Sequence, residues 1–164
     1  MTARRRVVLG LTLALLGGCG FKLQQPPALH FKTIQLTGFP ARSPLAAALK
    51  RDIDGSASSH VVETLKEAEV VLEALLDARE KSVVATTAAS QVREFELRSR
   101  FRFVLRTASG KELIPSSEIV LTRQLTYSES AALAKEQEEA FLYRAMQNDI
   151  VSQVLRRLAS VQLS

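Results

Sequence analysis

The strongest pattern in the chain is an alternation of apolar and polar residues between Gln91 and Arg106. Side chains on a strand point alternately to the two faces of its sheet, so this pattern predicts one buried face and one wet face. One side carries Phe95, Leu97, Ser99, Phe101, Phe103 and Leu105, and the other carries Glu94, Glu96, Arg98, Arg100, Arg102, Val104 and Arg106. A turn at 109–111 and a second alternating run at 119–127 predict a hairpin, with a break near Pro115.

The start of the folded part predicts a strand followed by a helix. Residues 31–36 alternate and are closed by Gly38, which is typical of a strand and its turn. Ser43 followed by Pro44 is typical of a helix N-terminus, because serine caps the free amide groups and proline has none to lose. The helix is expected to end at Gly55.

The segment 64–81 gives two conflicting signals. Its Leu, Ala, Glu and Lys content favours a helix. An alternation within it favours a strand instead, with Val70, Leu72, Ala74, Leu76 and Ala78 on one side. Local sequence alone therefore favours a helix over 64–81, after a possible short strand at 59–63.

The last element is a long helix over residues 130–160. Apolar residues recur there at three- and four-residue intervals, and acidic residues lie early while Arg156 and Arg157 lie late, which suits the helix dipole. Strands followed by a long closing helix predict a single α+β domain with helices on one face of the sheet.

The first 18 residues have the composition of a secretory leader. Three arginines precede about ten apolar residues, a run too short to cross a bilayer. Leu16-Gly17-Gly18-Cys19 resembles the lipobox of bacterial lipoproteins, where the cysteine is lipidated and the leader is cut before it. The alternative is an ordinary leader that ends at a chance cysteine. The predicted organisation is a signal peptide at 1–18, a lipidated tether at 19–30 and one domain at 31–164.

Charge and composition exclude several classes of protein. The chain has 22 basic and 17 acidic residues, and removal of the leader leaves 19 basic residues against the same 17 acidic ones. Such a small excess argues against a nucleic acid partner. One cysteine and two distant histidines, His30 and His60, argue against a metal site. No phosphate loop, zinc-protease motif or nucleophile elbow occurs, so no enzyme activity or cofactor is predicted.

The arginine row on the wet face of the long strand is the candidate functional feature. Arg98, Arg100, Arg102 and Arg106 share this side of the strand. Guanidinium groups in a row suit carboxylates or phosphates, so the row could bind a polar protein surface or anionic lipid. The alternative is a solvated sheet face on which arginines pair with glutamates. Glu94 and Glu96 on the same side could in principle act as an acid–base pair, although solvated carboxylates are far commoner.

The order of several short motifs resembles the lipopolysaccharide-assembly lipoprotein family LptE. The motifs are Cys19-Gly20-Phe21-Lys22-Leu23, Glu94-Phe95-Glu96-Leu97, Arg123, Leu133-Ala134-Lys135, Met146 and Leu155-Arg156-Arg157-Leu158. The resemblance implies two helices packed on one face of a mostly antiparallel four-stranded sheet. It therefore implies a strand, and not a helix, over 70–81.

The resemblance also implies a function and partners. Members of the family are non-enzymatic plugs inside the outer-membrane β-barrel LptD, anchored by lipid on the periplasmic side, and they bind lipopolysaccharide. Lys135 matches one lipopolysaccharide-contacting residue of the family, whereas the tip at 85–90 lacks the other basic residue. The arginine row is then expected to face the barrel. The alternative function is a free-standing envelope lipoprotein that scaffolds another transport or cell-wall complex.

Overall fold

The computed structural model of the chain describes residues 28–163. The leader, Cys19 and most of the tether predicted at 19–30 lie outside this part. The described chain forms five strands and two helices in one α+β unit. The strands are β1 (Thr33–Thr37), β2 (His60–Val62), β3 (Val70–Thr86), β4 (Val92–Thr107) and β5 (Glu112–Thr126), and the helices are α1 (Pro44–Asp54) and α2 (Ala132–Ala159), the latter preceded by a 3-10 turn at Glu129–Ala131.

The sheet is mixed and has the order β2-β1-β3-β4-β5. β1 runs parallel to both β2 and β3, whereas β3, β4 and β5 form an antiparallel meander. The expectation of four mostly antiparallel strands is therefore corrected to five strands in a mixed sheet. The difference is the three-residue β2, which local sequence at 59–63 had indicated and which adds to the outer edge of β1.

The segment that locally favours a helix is strand β3. The prediction of a helix over 64–81 was wrong, and the strand implied by family resemblance is confirmed. β3 pairs with β4 along nearly its whole length, from Val70 opposite Thr107 to Thr86 opposite Val92. Tertiary pairing of this extent overrides the helix propensity of individual residues.

A β-bulge at Leu75 changes the phase of β3. Ala74 lies opposite Phe103 and Leu76 lies opposite Arg102, so Leu75 is an extra residue without a partner on β4. Residues with even numbers point into the core before the bulge and away from it afterwards. Leu76 and Ala78 therefore leave the face that carries Val70, Leu72 and Ala74, contrary to the single alternation predicted across the segment.

Both helices cover the same face of the sheet, as predicted. Ser43 caps α1 by accepting a hydrogen bond from the amide of Ala46 at 3.1 Å, and its own hydroxyl donates to Asp77 of β3 at 2.6 Å. The α1 helix ends at Gly55, whose amide donates to the carbonyl of Arg51. The main core joins α1, the C-terminal half of α2 and the inner face of the sheet, with Phe101 and Phe103 stacked at 5.4 Å between ring centroids.

The middle of α2 packs on a second, smaller apolar cluster. Met146 is fully buried there against Leu97 of β4 and Leu125 of β5. Phe141, five residues earlier on the same helix, is 62% exposed. Within residues 28–163 no helix combines the length and apolarity needed to cross a bilayer.

Candidate interaction surface

The sheet face that the helices leave uncovered is built by β3, β4 and β5. We call it the open face. Residues directly opposite one another on antiparallel strands share a face, so the register assigns its members. Its charged members are Glu73, Glu80, Glu94, Glu96, Arg98, Arg100, Arg102, Arg106, Glu112 and Glu118, and its apolar members include Leu76, Ala78, Val104 and Val120. The predicted separation of β4 into an apolar side and an arginine side is confirmed.

Two arginines of the row are held by carboxylates across the strands. Arg98 lies 2.8 Å from Glu96 and 4.0 Å from Glu80, and Arg100 lies 2.9 Å from Glu118 and 3.5 Å from Glu80. The hydrogen bond and charge of Glu118, followed by those of Glu80, raise the pKa of Arg100. These residues form a ladder of alternating charge over β3, β4 and β5.

The other two arginines of the row differ from each other. Arg106 is paired with Glu73 of β3. Arg102 lies opposite Glu118 in the register, but the Glu118 carboxylate turns to Arg100. Among the described residues, no carboxylate approaches the Arg102 guanidinium within 4 Å, and its side chain is exposed.

The open face carries both signs of charge, with a small acidic excess. Four of its six glutamates pair with the arginine row: Glu73, Glu80, Glu96 and Glu118. The alternation of β4 predicts the arginines, but it does not predict partners on β3 and β5, because only the pairing register shows that Glu73, Glu80 and Glu118 lie beside the row. The face can make directed hydrogen bonds and ion pairs, but its acidic excess does not favour a large anion.

Lys135 lies at the start of α2, beside the end of β5. Its ammonium donates to the hydroxyl of Thr126 at 3.2 Å and to the carboxylate of Glu138 at 2.8 Å. The side chain is only 21% exposed. Thr126 lies four residues along β5 from Thr122, the partner of Arg98 in the register. The structure therefore places Lys135 past one end of the arginine row and does not bring it together with the row.

Polar contacts also join the far half of β3 to α2. Arg79 donates to Gln147 at 2.7 Å, and Lys81 pairs with Glu139 at 2.6 Å. The hydroxyl of Tyr143 donates to the carbonyl of Glu80 at 2.7 Å. Burial, with a further contribution from Glu139, raises the pKa of Tyr143. Beyond the core, α2 is therefore held to the sheet by polar contacts.

The remaining chemical candidates do not assemble into a site. Glu96 is engaged by Arg98, which makes it half of an ion pair instead of half of an acid–base dyad with Glu94. His30 and His60 are both exposed. In the part of the chain from residue 28 to 163, no three His, Cys, Asp or Glu side chains converge as metal ligands would.

The family model of LptE, lipopolysaccharide-assembly, matches residues 31–158. The chain belongs to the LptE family. This is a non-enzymatic family of lipopolysaccharide-assembly lipoproteins associated with the outer membrane. The match spans all five strands and nearly all of α2, so the fold described above is the LptE fold. No curated protein matches the chain.

Solved structures of bacterial lipoproteins share the LptE fold of this chain. An uncharacterised lipoprotein B from Nitrosomonas europaea is 35% identical with a TM-score of 0.74, covering 86% of this chain and 91% of its own. Rare lipoprotein B from Shewanella oneidensis is 21% identical with a TM-score of 0.64, covering 79% and 95%. A minor lipoprotein from Acinetobacter baumannii is 17% identical with a TM-score of 0.65, covering 83% and 98%; the last two support the fold alone.

Proposed function

We propose that this LptE-family chain is the plug subunit of a lipopolysaccharide translocon. In this proposal it sits inside an LptD-like outer-membrane β-barrel, binds lipopolysaccharide and assists assembly and function of the barrel. The observation that carries the proposal is the open face, a wide sheet surface of mixed charge attached to a lipopolysaccharide-assembly fold. Lumens of large barrels are polar, and such a face suits them better than it suits hydrocarbon.

The arginine row is the proposed barrel-facing surface. Arg98, Arg100 and Arg106 hold four of the six glutamates of the face within the chain, so these carboxylates would enter the interface already paired. Buried charges that lack a partner are costly, whereas pairs that are already formed can be covered at lower cost. The row thus contributes complementarity to a polar lumen.

Cys19 is the proposed site of lipidation, on the periplasmic side of the outer membrane. Nine peptide steps separate it from Ala28, where the described part begins, and Leu29 and Phe31 are then buried in the core. A fully extended chain of this length spans roughly 30 Å. An anchor at Cys19 would therefore hold the domain close to the membrane that contains the barrel. Three acyl chains on one residue would give stable anchoring.

Lys135 is the proposed contact to lipopolysaccharide. Its ammonium already makes a charge-assisted hydrogen bond to Glu138, and a phosphate group could take the place of that carboxylate. Its partner Thr126 lies at the end of β5, eight residues from Glu118, which is opposite Arg102 in the register. Ligand and barrel would then be bound at different places along the sheet.

Affinity purification from detergent-solubilised outer membranes tests the barrel partnership. We expect one high-mass β-barrel subunit to co-purify at stoichiometric yield. A free-standing envelope lipoprotein would give no such partner, and that result would sink the proposal. Cys19→Ser should abolish incorporation of labelled palmitate and release the chain from the membrane fraction, whereas continued labelling would place the lipid elsewhere.

Binding of purified protein to lipopolysaccharide tests the ligand site. Lys135→Glu should weaken binding because a cation is replaced by an anion at the contact. Lys111→Glu is the matched control, since Lys111 is exposed in the β4–β5 turn at the other end of the hairpin. Equal binding by the wild type and Lys135→Glu would remove Lys135 from the proposed site.

A further inference from the structure

We propose that Arg102 is the anchor of the open face and binds a carboxylate of the protein partner. The inference rests on the proposed function, because it specifies how the face meets the barrel subunit. It assigns unequal roles to the four arginines of the row. Arg98, Arg100 and Arg106 are held within the chain, and Arg102 alone presents its guanidinium to the partner.

The first argument is the distribution of ion pairs. Arg98, Arg100 and Arg106 each have a carboxylate within 4 Å. The nearest acid in the register of Arg102 is Glu118, and the carboxylate of Glu118 accepts hydrogen bonds from Arg100 instead. Guanidinium carries five N–H donors in a planar fork that fits a carboxylate in bidentate geometry. Arg102 therefore offers an unused recognition group beside three arginines that are already paired.

The second argument is the apolar surface next to Arg102. Leu76 lies directly opposite Arg102 on β3, and Val120, which is opposite Arg100 on β5 and thus diagonal to Arg102, is 50% exposed. The bulged Leu75 is 41% exposed nearby. Arginine beside apolar side chains and surrounded by a polar rim is the usual composition of an energetic centre in protein interfaces. Contact at Leu76 and Val120 would exclude water from the ion pair and strengthen it.

The charge of the face selects the class of partner. Six glutamates lie among the four arginines, so an extended anionic surface would meet repulsion as well as attraction. A single carboxylate directed at Arg102 meets a guanidinium that is unpaired among the described residues, and the adjacent Glu118 is already paired with Arg100. The partner surface that fits is therefore a polypeptide that presents an Asp or Glu side chain flanked by apolar residues. An anionic membrane surface, which offers no apolar flank at the level of its phosphates, fits less well.

Single substitutions in the row provide the test, with barrel recovery from detergent-solubilised outer membranes as the readout. Arg102→Gln should lower the yield of co-purified barrel by about tenfold or more, as truncation of a buried charge-pair partner does. Arg98→Gln should lower the barrel yield less, because Arg98 already pairs with Glu96 and Glu80. Arg102→Lys should give an intermediate yield, since it keeps the charge and loses the fork. Arg51→Gln, on the exposed side of α1, is the control outside the face.

The outcomes separate the inference from the proposed function. If the wild type recovers the barrel and Arg98→Gln lowers the barrel yield as much as or more than Arg102→Gln, the assignment of Arg102 as the anchor is wrong. The proposed plug function would still stand. If the wild type recovers no barrel, the proposed function fails and the anchor fails with it.

A photocrosslinking residue supplies a readout that does not depend on affinity. Placed at Val120, it should crosslink to the barrel, whereas at Lys50 on the exposed side of α1 it should not. A crosslink from Lys50 with none from Val120 would overturn the anchor directly.

Discussion

The two faces of strand β4 differ in what holds their side chains. On the helix-covered face, Phe101, Phe103 and Leu105 are fully buried and pack against both helices. On the open face, Arg98 and Arg100 make ion pairs in contact with solvent. The same backbone hydrogen bonds serve both faces, so the difference lies entirely in the side chains.

The comparison shows that stability and recognition are assigned to different faces. Burial of large apolar side chains contributes kilocalories per residue, whereas exposed ion pairs contribute little. Side chains on the open face can therefore change with small effects on folding and large effects on binding. This separation makes it possible to test the two properties independently in one strand.

The largest effect is expected from Phe103→Ala. Phe103 is fully buried and stacks on Phe101, so its truncation should lower the free energy of unfolding by about 3–5 kcal/mol. Its neighbour Arg102 points to the open face, and Arg102→Ala should change the same free energy by less than about 1 kcal/mol. Urea unfolding of the two variants measures the contrast. The reverse order would mean that the faces are assigned the wrong way round.

A somewhat smaller effect is expected within the second apolar cluster. Met146→Ala should cost about 2–4 kcal/mol, because Met146 is fully buried between Leu97 and Leu125 in a cluster with few members. Phe141→Ala on the same helix is the matched control and should be nearly neutral, since Phe141 is largely exposed. Thermal or urea unfolding distinguishes them. A large loss of stability in Phe141→Ala would contradict this prediction, because it would mean that other parts of the protein cover the N-terminal end of α2.

Reversal of the charges on the open face should have a modest effect on folding. The triple variant Arg98→Glu, Arg100→Glu and Arg102→Glu places new carboxylates beside Glu80, Glu96 and Glu118. We expect a cooperative urea transition at a lower midpoint, shifted less than in Phe103→Ala, because solvent and salt screen these charges. Added salt should recover part of the shift.

The same triple variant should lose the barrel, because like charges would then meet across the interface. An unfolded triple variant would contradict the separation of the two faces. A folded variant that recovers the barrel at wild-type yield would leave the row as solvated surface.

The smallest effect concerns alkaline pH on the covered side. The pKa of Tyr143 is raised by burial in the folded state, so the folded state holds this proton more tightly than the unfolded one. The resulting stabilisation is complete below the unfolded pKa of about 10 and falls as the pH rises above it. Tyr143→Phe should be less stable than the wild type at pH 8, since it loses the hydrogen bond to Glu80.

That deficit should shrink as the pH rises above about 10, the ordinary pKa of tyrosine. Unfolding midpoints of the wild type and Tyr143→Phe across this range provide the measurement. A constant difference would mean that the hydroxyl titrates alike in both states.

Much of the fold could be predicted from local signals. The alternation in β4, the Ser43–Pro44 start of α1 and the periodicity of α2 each depend on neighbouring residues, and all three were correct. β3 was missed locally because its composition favours a helix, and its strand state depends on pairing with β4, whose partner residues lie up to 37 positions away (Val70 and Thr107). The parallel pairing of β1 likewise depends on contacts distant in sequence.

The candidate site was predicted in part for a similar reason. The arginine row follows from the alternation of one strand, so its face was correctly identified. Its electrostatic character depends on Glu73, Glu80 and Glu118, whose positions require the register of three strands and the bulge in β3. Without that register, four arginines suggest an anion site, although the folded surface has more glutamates than arginines.

The bulge at Leu75 gives β3 one spare residue, which has a consequence for changes in chain length. Removal of Leu75 would leave Ala74 and Leu76 as ordinary neighbours that point to opposite faces, as they do now. A deletion between Leu76 and Val83 would instead shift the register of the residues that lie between the bulge and the deletion by one position. Side chains such as Asp77 or Arg79 would then point to the opposite face of the sheet. Natural chains of this family should therefore tolerate a one-residue deletion at the position of Leu75 and should not tolerate one between Leu76 and Val83.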